Sequence, residues 1–401
     1  MIRLAFARLS PACSLDVPAA LLRGGPLDCL LLAGGRDSVH TLIALLPELR
    51  RRGVSVLAAL DDGQPRKAAE VLLAAHPSVR VAALSGQVLD QAAAALAAAG
   101  VPLPPGLVSI RALASAAVLA RALASGAAVV FAGEAMPESL AAAAALHRFG
   151  WTHADHSLLA GASLAGHILA AGPLACGGAA GVDWQTLPSP ASIDAPIAEL
   201  EPNGSFTITR HPASGGEVSR HSVLEALLDA VGDPRAFDTP DCRIDLSALD
   251  VREFAPQRVS VSGALGLPPA SAFAAVRAHA GWRVTAFVVY PAPAALEKAY
   301  AADRLLRERT SLLQLKVDGI HGDFLGAGPG AGEVVWRAAV SCPTAAAAQL
   351  AAREIAAVVR RGPPGAIVPP GAASPCVEEV VLHSVCPIPA GAASLAFEVL
   401  S

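Results

Sequence analysis

No stretch of this 401-residue chain approaches the roughly 20 uninterrupted apolar residues that a membrane-spanning helix needs, although 53% of its residues are hydrophobic. The apolar content is dominated by alanine and is interrupted by charges, glycine and proline. A membrane is therefore not an expected partner. A basic excess is missing too. The formal charge is −4, and a general nucleic-acid binder carries a strong positive surplus, so no nucleic-acid partner is expected. The seven cysteines (Cys13, Cys29, Cys176, Cys242, Cys342, Cys376, Cys386) include no C-x-x-C pair, which removes the common zinc and redox spacings and leaves buried or free thiols. Neither G-x-G-x-x-G nor G-x-x-x-x-G-K-[ST] occurs, so the sequence carries no phosphate fingerprint and names no cofactor. There is no internal repeat. The N-terminus reads as a short first strand, with Arg8 and Asp16 interrupting any signal-like apolar region, and the expected location is the cytoplasm.

What is present is an alternation of strands and helices. Leu27–Ala33 is an apolar run with one Asp, as expected of a strand buried on both faces. Val39–Arg52 has Leu42, Leu45, Leu46 and Leu49 at helical spacing and stops at Gly53. Val54–Leu60, Arg66–Ala75 and Val79–Ala83 continue the pattern as strand, helix and strand. This is βαβαβ with right-handed crossovers. Ala-rich helices are expected at Leu89–Ala99 and Ala112–Ala124, then a strand at Ala127–Ala132 and a helix at Leu140–Phe149. Further on, Arg258–Val261, Trp282–Tyr290 and Val334–Val340 alternate as half-buried strands, with helices at Pro293–Thr310 and Ala345–Arg360. The predicted fold class is α/β, an N-terminal mostly parallel sheet flanked by helices, followed by an α+β C-terminal half. The corresponding division is residues 1–190 and 191–401.

Ligands of such sheets sit beyond the carboxyl ends of the strands, which directs attention to Gly34–Asp37 and Asp61–Gln64. Glu134, Glu138 and Ser139 gather at another strand end, where Glu138 is explained by the dipole of a helix first turn. His153 and His156 form an H-x-x-H pair beside Asp155, and Asp61-Asp62 is a carboxylate pair, but neither belongs to a ligand cluster and no metal is expected. The stretch from Gly204 to Gly216 has the strongest local logic. Phe206 and Ile208 alternate with Thr207 and Thr209 as a strand that delivers Arg210 and His211 to a Gly215-Gly216 turn. A helix follows, with Ser222 and Glu225 at capping-box spacing. Strand, glycine turn and helix N-terminus together suit an anion; an ordinary strand-to-helix turn accounts for the same spacing.

From Gly150-Trp151 to Thr239-Pro240-Asp241 the chain resembles the acyclic terpene utilisation (AtuA) family. The matching pieces are Leu164-Ala165-Gly166-His167, Gly177-Gly178, Asp183-Trp184, Pro196-Ile197-Ala198-Glu199, Gly204-Ser205-Phe206, Arg210-His211-Pro212, Gly215-Gly216, Asp233-Pro234 and Thr239-Pro240-Asp241. Toward the C-terminus, Val261-Ser262-Gly263-Ala264 and Gly362-Pro363 extend the likeness. Upstream only the outline is shared: Leu60-Asp61-Asp62-Gly63, Gly133-Glu134 and Ala170-Ala171-Gly172 stand where the family carries Asn, Arg, Asp, Cys and amide groups.

The resemblance implies a part in the breakdown of branched or terpenoid acids as coenzyme A thioesters. Two readings follow. In the first, the protein is an enzyme acting on an acyl-CoA or related carboxylic acid, as a lyase, hydratase or hydrolase. His211 is then the acid/base, with His167, Asp183 and Glu199 as further catalytic candidates. Arg210, Ser214, Gly215, Gly216, Gly177, Gly178, Trp184, Asp61 and Glu134 are the expected substrate-binding residues. In the second, the chain is a divergent, non-catalytic member that binds a metabolite or a partner subunit. The expected partners are a small-molecule carboxylate or CoA thioester, and a second copy of the chain or a second subunit.

Overall fold

The computed structural model describes residues 1–9, 21–23, 25–35, 37–60, 64–179, 181, 184–328, 330–368 and 375–401. The chain forms two compact units, one of Met1–Pro102, Ile110–Ala275 and Val385–Ser401, the other of Leu103–Ser109 and Val276–Ser384.

In order, the elements begin with β1 (Ile2–Leu9), β2 (Cys29–Gly34), α1 (Asp37–Arg52), β3 (Ser55–Leu60), α2 (Pro65–Ala75), β4 (Val81–Ser85), α3 (Ala93–Ala98), β5 (Leu107–Ala112), α4 (Ala116–Ala124) and β6 (Val129–Ala132). They continue with α5 (Pro137–Phe149), α6 (His156–Ala170), β7 (Ile197–Leu200), β8 (Phe206–Thr209), α7 (Arg220–Leu228), β9 (Phe237–Asp238), β10 (Arg243–Asp245), β11 (Asp250–Ala255), β12 (Arg258–Ser262) and β13 (Leu265–Leu267). The last elements are β14 (Ala272–Pro291), α8 (Ala295–Leu312), β15 (Gly319–Leu325), β16 (Glu333–Cys342), α9 (Ala345–Arg361), β17 (Cys376–Ile388) and β18 (Ala396–Leu400). The helix expected at Ala112–Ala124 starts only at Ala116, because the residues before it, Leu107–Ala112, are drawn out as a strand that buries Ile110 and Ala112.

The first unit is built on a ten-stranded sheet in the order β11-β12-β8-β7-β1-β2-β3-β6-β4-β18. Its five central strands, β1, β2, β3, β6 and β4, are parallel, and the strands outside them pair antiparallel. The parallel strands read as unbroken apolar runs because both of their faces are covered. On one face α1 and α2 bring Leu42, Leu46, Leu49 and Leu72 against Leu30, Leu32, Val56 and Ala58. On the other, α4, α5, α6 and α7 cover Leu31, Leu57 and Val130.

Alanine and glycine set the helix spacing on that second face. Every residue of α5 from Glu138 to Leu146 is buried, and α5 packs against both α4 and α6. A Cβ on Gly166 of α6 would lie 2.4 Å from the Pro137 carbonyl oxygen and 2.8 Å from the Ala141 Cβ, and one on Gly161 would lie 1.9 Å from the Gly204 oxygen. These approaches exist only because the side chains are missing.

In the second unit, β14-α8-β15-β16-α9-β17 is a βαββαβ arrangement with strand order β15-β16-β14-β17, the split-βαβ pattern of ferredoxin-like folds. Trp336, Tyr290 and Val284 form its core with Leu306 and Ile355 from the two helices. Asp303 is buried in α8 because it accepts hydrogen bonds from Trp336 Nε1 (3.2 Å) and Arg307 Nε (2.7 Å).

Candidate functional site

The pairing registers place most of the sequence-derived candidates on one edge of the large sheet. β1, β2, β3 and β6 end in parallel at Leu9, Gly34, Leu60 and Ala132. β7 runs antiparallel to β1, and β8 antiparallel to β7, so Thr209 at the end of β8 lies across from Ile197, which pairs Ala5. Arg210 and His211 therefore leave the sheet at the same carboxyl edge as Gly34, Gln64 and Glu134. This is where open α/β sheets hold ligands. The loop after β6 is fixed by a residue that composition alone does not single out: buried Gln87 donates from Nε2 to the Ala112 and Glu134 carbonyls (2.9 and 2.7 Å) and accepts from Gly133 N (2.7 Å).

On the helical side of this edge, close packing of α5 and α6 brings His167 onto Glu138. His167 Nδ1 lies 2.8 Å from Glu138 Oε1 and Nε2 lies 3.0 Å from the Asp229 carbonyl oxygen, while the ring meets Phe237 edge-on at 5.0 Å. Both ring nitrogens face acceptors, an arrangement that only an imidazolium satisfies fully. Burial by itself would lower this pKa. The hydrogen bond and charge of Glu138, with the Asp229 carbonyl, outweigh it and raise the value above 6.5. Glu138 is 4% exposed, and among the described residues nothing donates a hydrogen bond to its second oxygen, Oε2.

A second carboxylate stands beside this pair. Thr239-Pro240-Asp241-Cys242 is a tight turn closed by Thr239, whose hydroxyl donates to the Cys242 carbonyl (2.8 Å) and accepts from Cys242 N (3.1 Å) and Asp241 N (3.3 Å). The turn aims Asp241 at two helix N-termini. Oδ1 accepts from Ala116 N, the first residue of α4, and Oδ2 from the Ser139 hydroxyl in the first turn of α5, both at 2.6 Å. Burial pushes the Asp241 carboxyl up, the Ser139 and Ala116 hydrogen bonds pull it down, the Glu138 charge pushes it up again, and the result is about 6.

The loop carrying His211 is organised differently. Arg210 Nε donates to Gln257 Oε1 (2.9 Å), and Nη1 donates to the carbonyls of His211 (3.1 Å) and Ser214. The guanidinium thus clamps its own loop. Gly215 N, Gly216 N and Glu217 N donate to the carbonyls of Ser192, Pro188 and Cys176, each at 2.8 Å. A Cβ on Gly215 would sit 2.0 Å from the Ser189 oxygen, and one on Gly216 2.3 Å from the Cys176 oxygen. Gly177 and Gly178 lie in the turn that follows Cys176, their amides bonded to the Leu174 and Pro173 carbonyls. Hence Arg210, Ser214, Gly215, Gly216 and Gly177 share one packed joint. His211 is half-buried, with Nδ1 accepting from Ala213 N at 3.2 Å. The helix beyond starts one turn earlier than the sequence spacing indicates. Ser219 is the N-cap and forms the capping box with Ser222, while Glu225 instead accepts from Gly181 N.

Glu199 on β7 is paired with Arg258 of β12 and, at 3.4 Å, with Arg3 of β1, so two cations neutralise it. Trp184 is 71% exposed. Asp61 and Asp183 lie outside the described residues. On the opposite face of the sheet, at the carboxyl end of β3, is a cleft of about 230 Å³ between α1 and α2. Val39, Leu60 and Val71 make its apolar wall, with His40, Gln64 and Lys67 supplying polar groups. Among the described residues no group of three or more His, Cys, Asp or Glu is arranged to hold a metal ion.

Sequence reasoning singled out His167 but not Glu138 or Asp241 as chemical groups. Glu138 is satisfied on paper by a helix dipole. Asp241 was visible only as the last residue of the Thr239-Pro240-Asp241 motif, and that motif was the available signal.

Fold and site together define a mixed α/β protein whose polar groups collect at the carboxyl edge of a largely parallel core. The chain matches the model of the family described as acyclic terpene utilisation family protein AtuA over residues 36–393, and it belongs to that family. No curated protein and no solved structure matches it. Among the described residues no helix is long and apolar enough to cross a membrane.

Proposed function

We propose that the protein is an enzyme of branched or terpenoid acid catabolism that binds an acyl-CoA or related carboxylic acid at the carboxyl edge of its large sheet. The family supports the pathway, and the cleft beside β3 supports the ligand. That cleft is the observation carrying the reading: Val39, Leu60 and Val71 suit a branched hydrocarbon, and Lys67 and His40 suit a carboxylate or the phosphates of a CoA group. A volume of about 230 Å³ falls below the roughly 300–1,000 Å³ of sites that enclose whole drug-sized ligands. It matches an acyl portion whose remaining bulk stays outside.

The experiment is a thermal-shift series with straight and branched short-chain acids and their CoA thioesters. A ligand that binds only the folded state raises the apparent melting temperature. Branched thioesters are expected to give the largest rise; no rise with any of them would overturn the reading.

A further inference from the structure

We propose that two copies of the chain associate by pairing strand β17 with itself, antiparallel, about a two-fold axis at Val381. β17 is the last strand of the second unit's sheet, and among the described residues it has a neighbour, β14, on one side only. A strand in that position presents a row of free backbone N–H and C=O groups, which natural edges commonly blunt with lysine, proline or a bulge. β17 has no lysine, and no proline before Pro387. From Val380 to Leu382 three apolar residues stand in a row, with Val381 36% and Leu382 54% exposed. Successive side chains point to opposite faces, so apolar surface lies open on both sides of the strand. The far edge of the sheet is guarded: β15 carries His321 and Asp323, and Asp323 accepts from Arg337 of β16.

The occupant of the open edge follows from the strand's own sequence. In an antiparallel pair, directly opposite side chains share a face of the sheet and interact. A two-fold axis at Val381 sets each residue against the one equally far beyond it. Val381 then meets its own copy, Val380 meets Leu382, Glu379 meets His383 and Glu378 meets Ser384. Apolar faces apolar, and each carboxylate faces a group able to donate a hydrogen bond. Moving the axis by one residue destroys the match. An axis at Val380 sets Glu379 against Val381 and Glu378 against Leu382; one at Leu382 sets Val381 against His383 and Val380 against Ser384. Register is weakly specified by burial in a strand open on both faces, so these side-chain pairs specify it. Glu378 and Glu379 already lie 3.6 and 3.5 Å from Arg283 and His279 of β14, but exposed pairs of this kind contribute little and a carboxylate accepts from more than one donor. One copy uses up the edge, so assembly closes at a two-fold dimer.

The test is sedimentation equilibrium of the full chain over a micromolar concentration range, for wild type and two variants. Wild type is expected to show a concentration-dependent dimer. His383→Glu sets a carboxylate opposite Glu379 at two symmetric places and is expected to raise the dimer dissociation constant by about tenfold or more. Glu379→Lys combined with His383→Glu rebuilds an attractive pair in the same register, and is expected to return the constant to within about threefold of wild type. A surface that associates elsewhere would not respond to this exchange. If His383→Glu alone fails to fold by circular dichroism, the double variant decides, since it folds and dimerises only where the two positions face each other. A monomer at every concentration of wild type, an unchanged constant in a folded His383→Glu, or a double variant that dimerises no better than the single one would overturn the pairing.

Discussion

Gly166 presses its bare Cα against Pro137, where a Cβ would come within 2.4 Å of the carbonyl oxygen. That contact sets the separation of α5 and α6 one residue from His167 and one from Glu138, and so sets the ion pair between them. Gly166→Ala is expected to destabilise the fold by about 1–3 kcal/mol through overpacking and to loosen the His167 contact with Glu138. Chemical denaturation measures the first effect, and the His167 imidazole shifts in NMR spectra measure the second.

The protonation of Asp241 has a defined sign. Its folded-state pKa, about 6, lies above the ordinary aspartate value of 3.8, so the folded protein binds this proton more tightly than the unfolded chain. The associated stability is fully present below about pH 4 and is lost as pH rises to about 6; at 1.36 kcal/mol per pKa unit the loss is roughly 3 kcal/mol. Asp241→Asn should abolish this component. Urea denaturation between pH 4 and 7 is expected to show a smaller decline for the variant than for wild type.

His167 gives a second pH signature. Its pKa is raised above 6.5 by Glu138 and the Asp229 carbonyl against the opposing effect of burial. Its contribution to stability is present below about 6.5 and is lost as pH rises through the folded value. In Glu138→Gln the charge is gone, and the imidazole pKa should fall. An NMR titration of the His167 ring reads both values; an unchanged pKa in the variant would contradict the pairing.

Arg210 is expected to matter for stability through its loop. Its donors reach Gln257 and the carbonyls of His211 and Ser214, and hydrogen bonds from a charged group contribute about 1.5–3 kcal/mol. Arg210→Met should therefore lower stability by about that amount. Gln257→Ala should cost less in the Arg210→Met background than in wild type, because the bond from Arg210 is already gone there; the bond Gln257 accepts from Val218 N leaves a residual cost. A double-mutant cycle measures the coupling.

The parallel core was legible in the sequence because strands covered on both faces leave unbroken apolar runs, and β2, β3 and β6 each lie within a residue or two of the expected span. The short pairing strands β9, β10 and β13 were not, since two or three residues carry no period. Glycine was legible as a constraint but not as a purpose. Gly215-Gly216 reads as an anion cradle or as an ordinary strand-to-helix turn, and neither reading anticipates the close approach of its backbone to Ser189 and Cys176. His167 was visible as a residue type in a family motif. Its partner Glu138 was not, because the two are 29 positions apart and only the tertiary packing of two alanine-rich helices joins them.

Whether the cleft beside β3 holds an acyl group is measured by calorimetric titration of 3-methylbutanoyl-CoA into wild type and into Val71→Trp. Val71 stands at the rim of the cleft beside β3 and is 39% exposed, so an indole there fills the cleft without entering the core. Wild type is expected to bind, and the variant to bind at least about tenfold, some 1.4 kcal/mol, more weakly. Equal affinity in the two proteins, or no heat of binding in wild type, would contradict it.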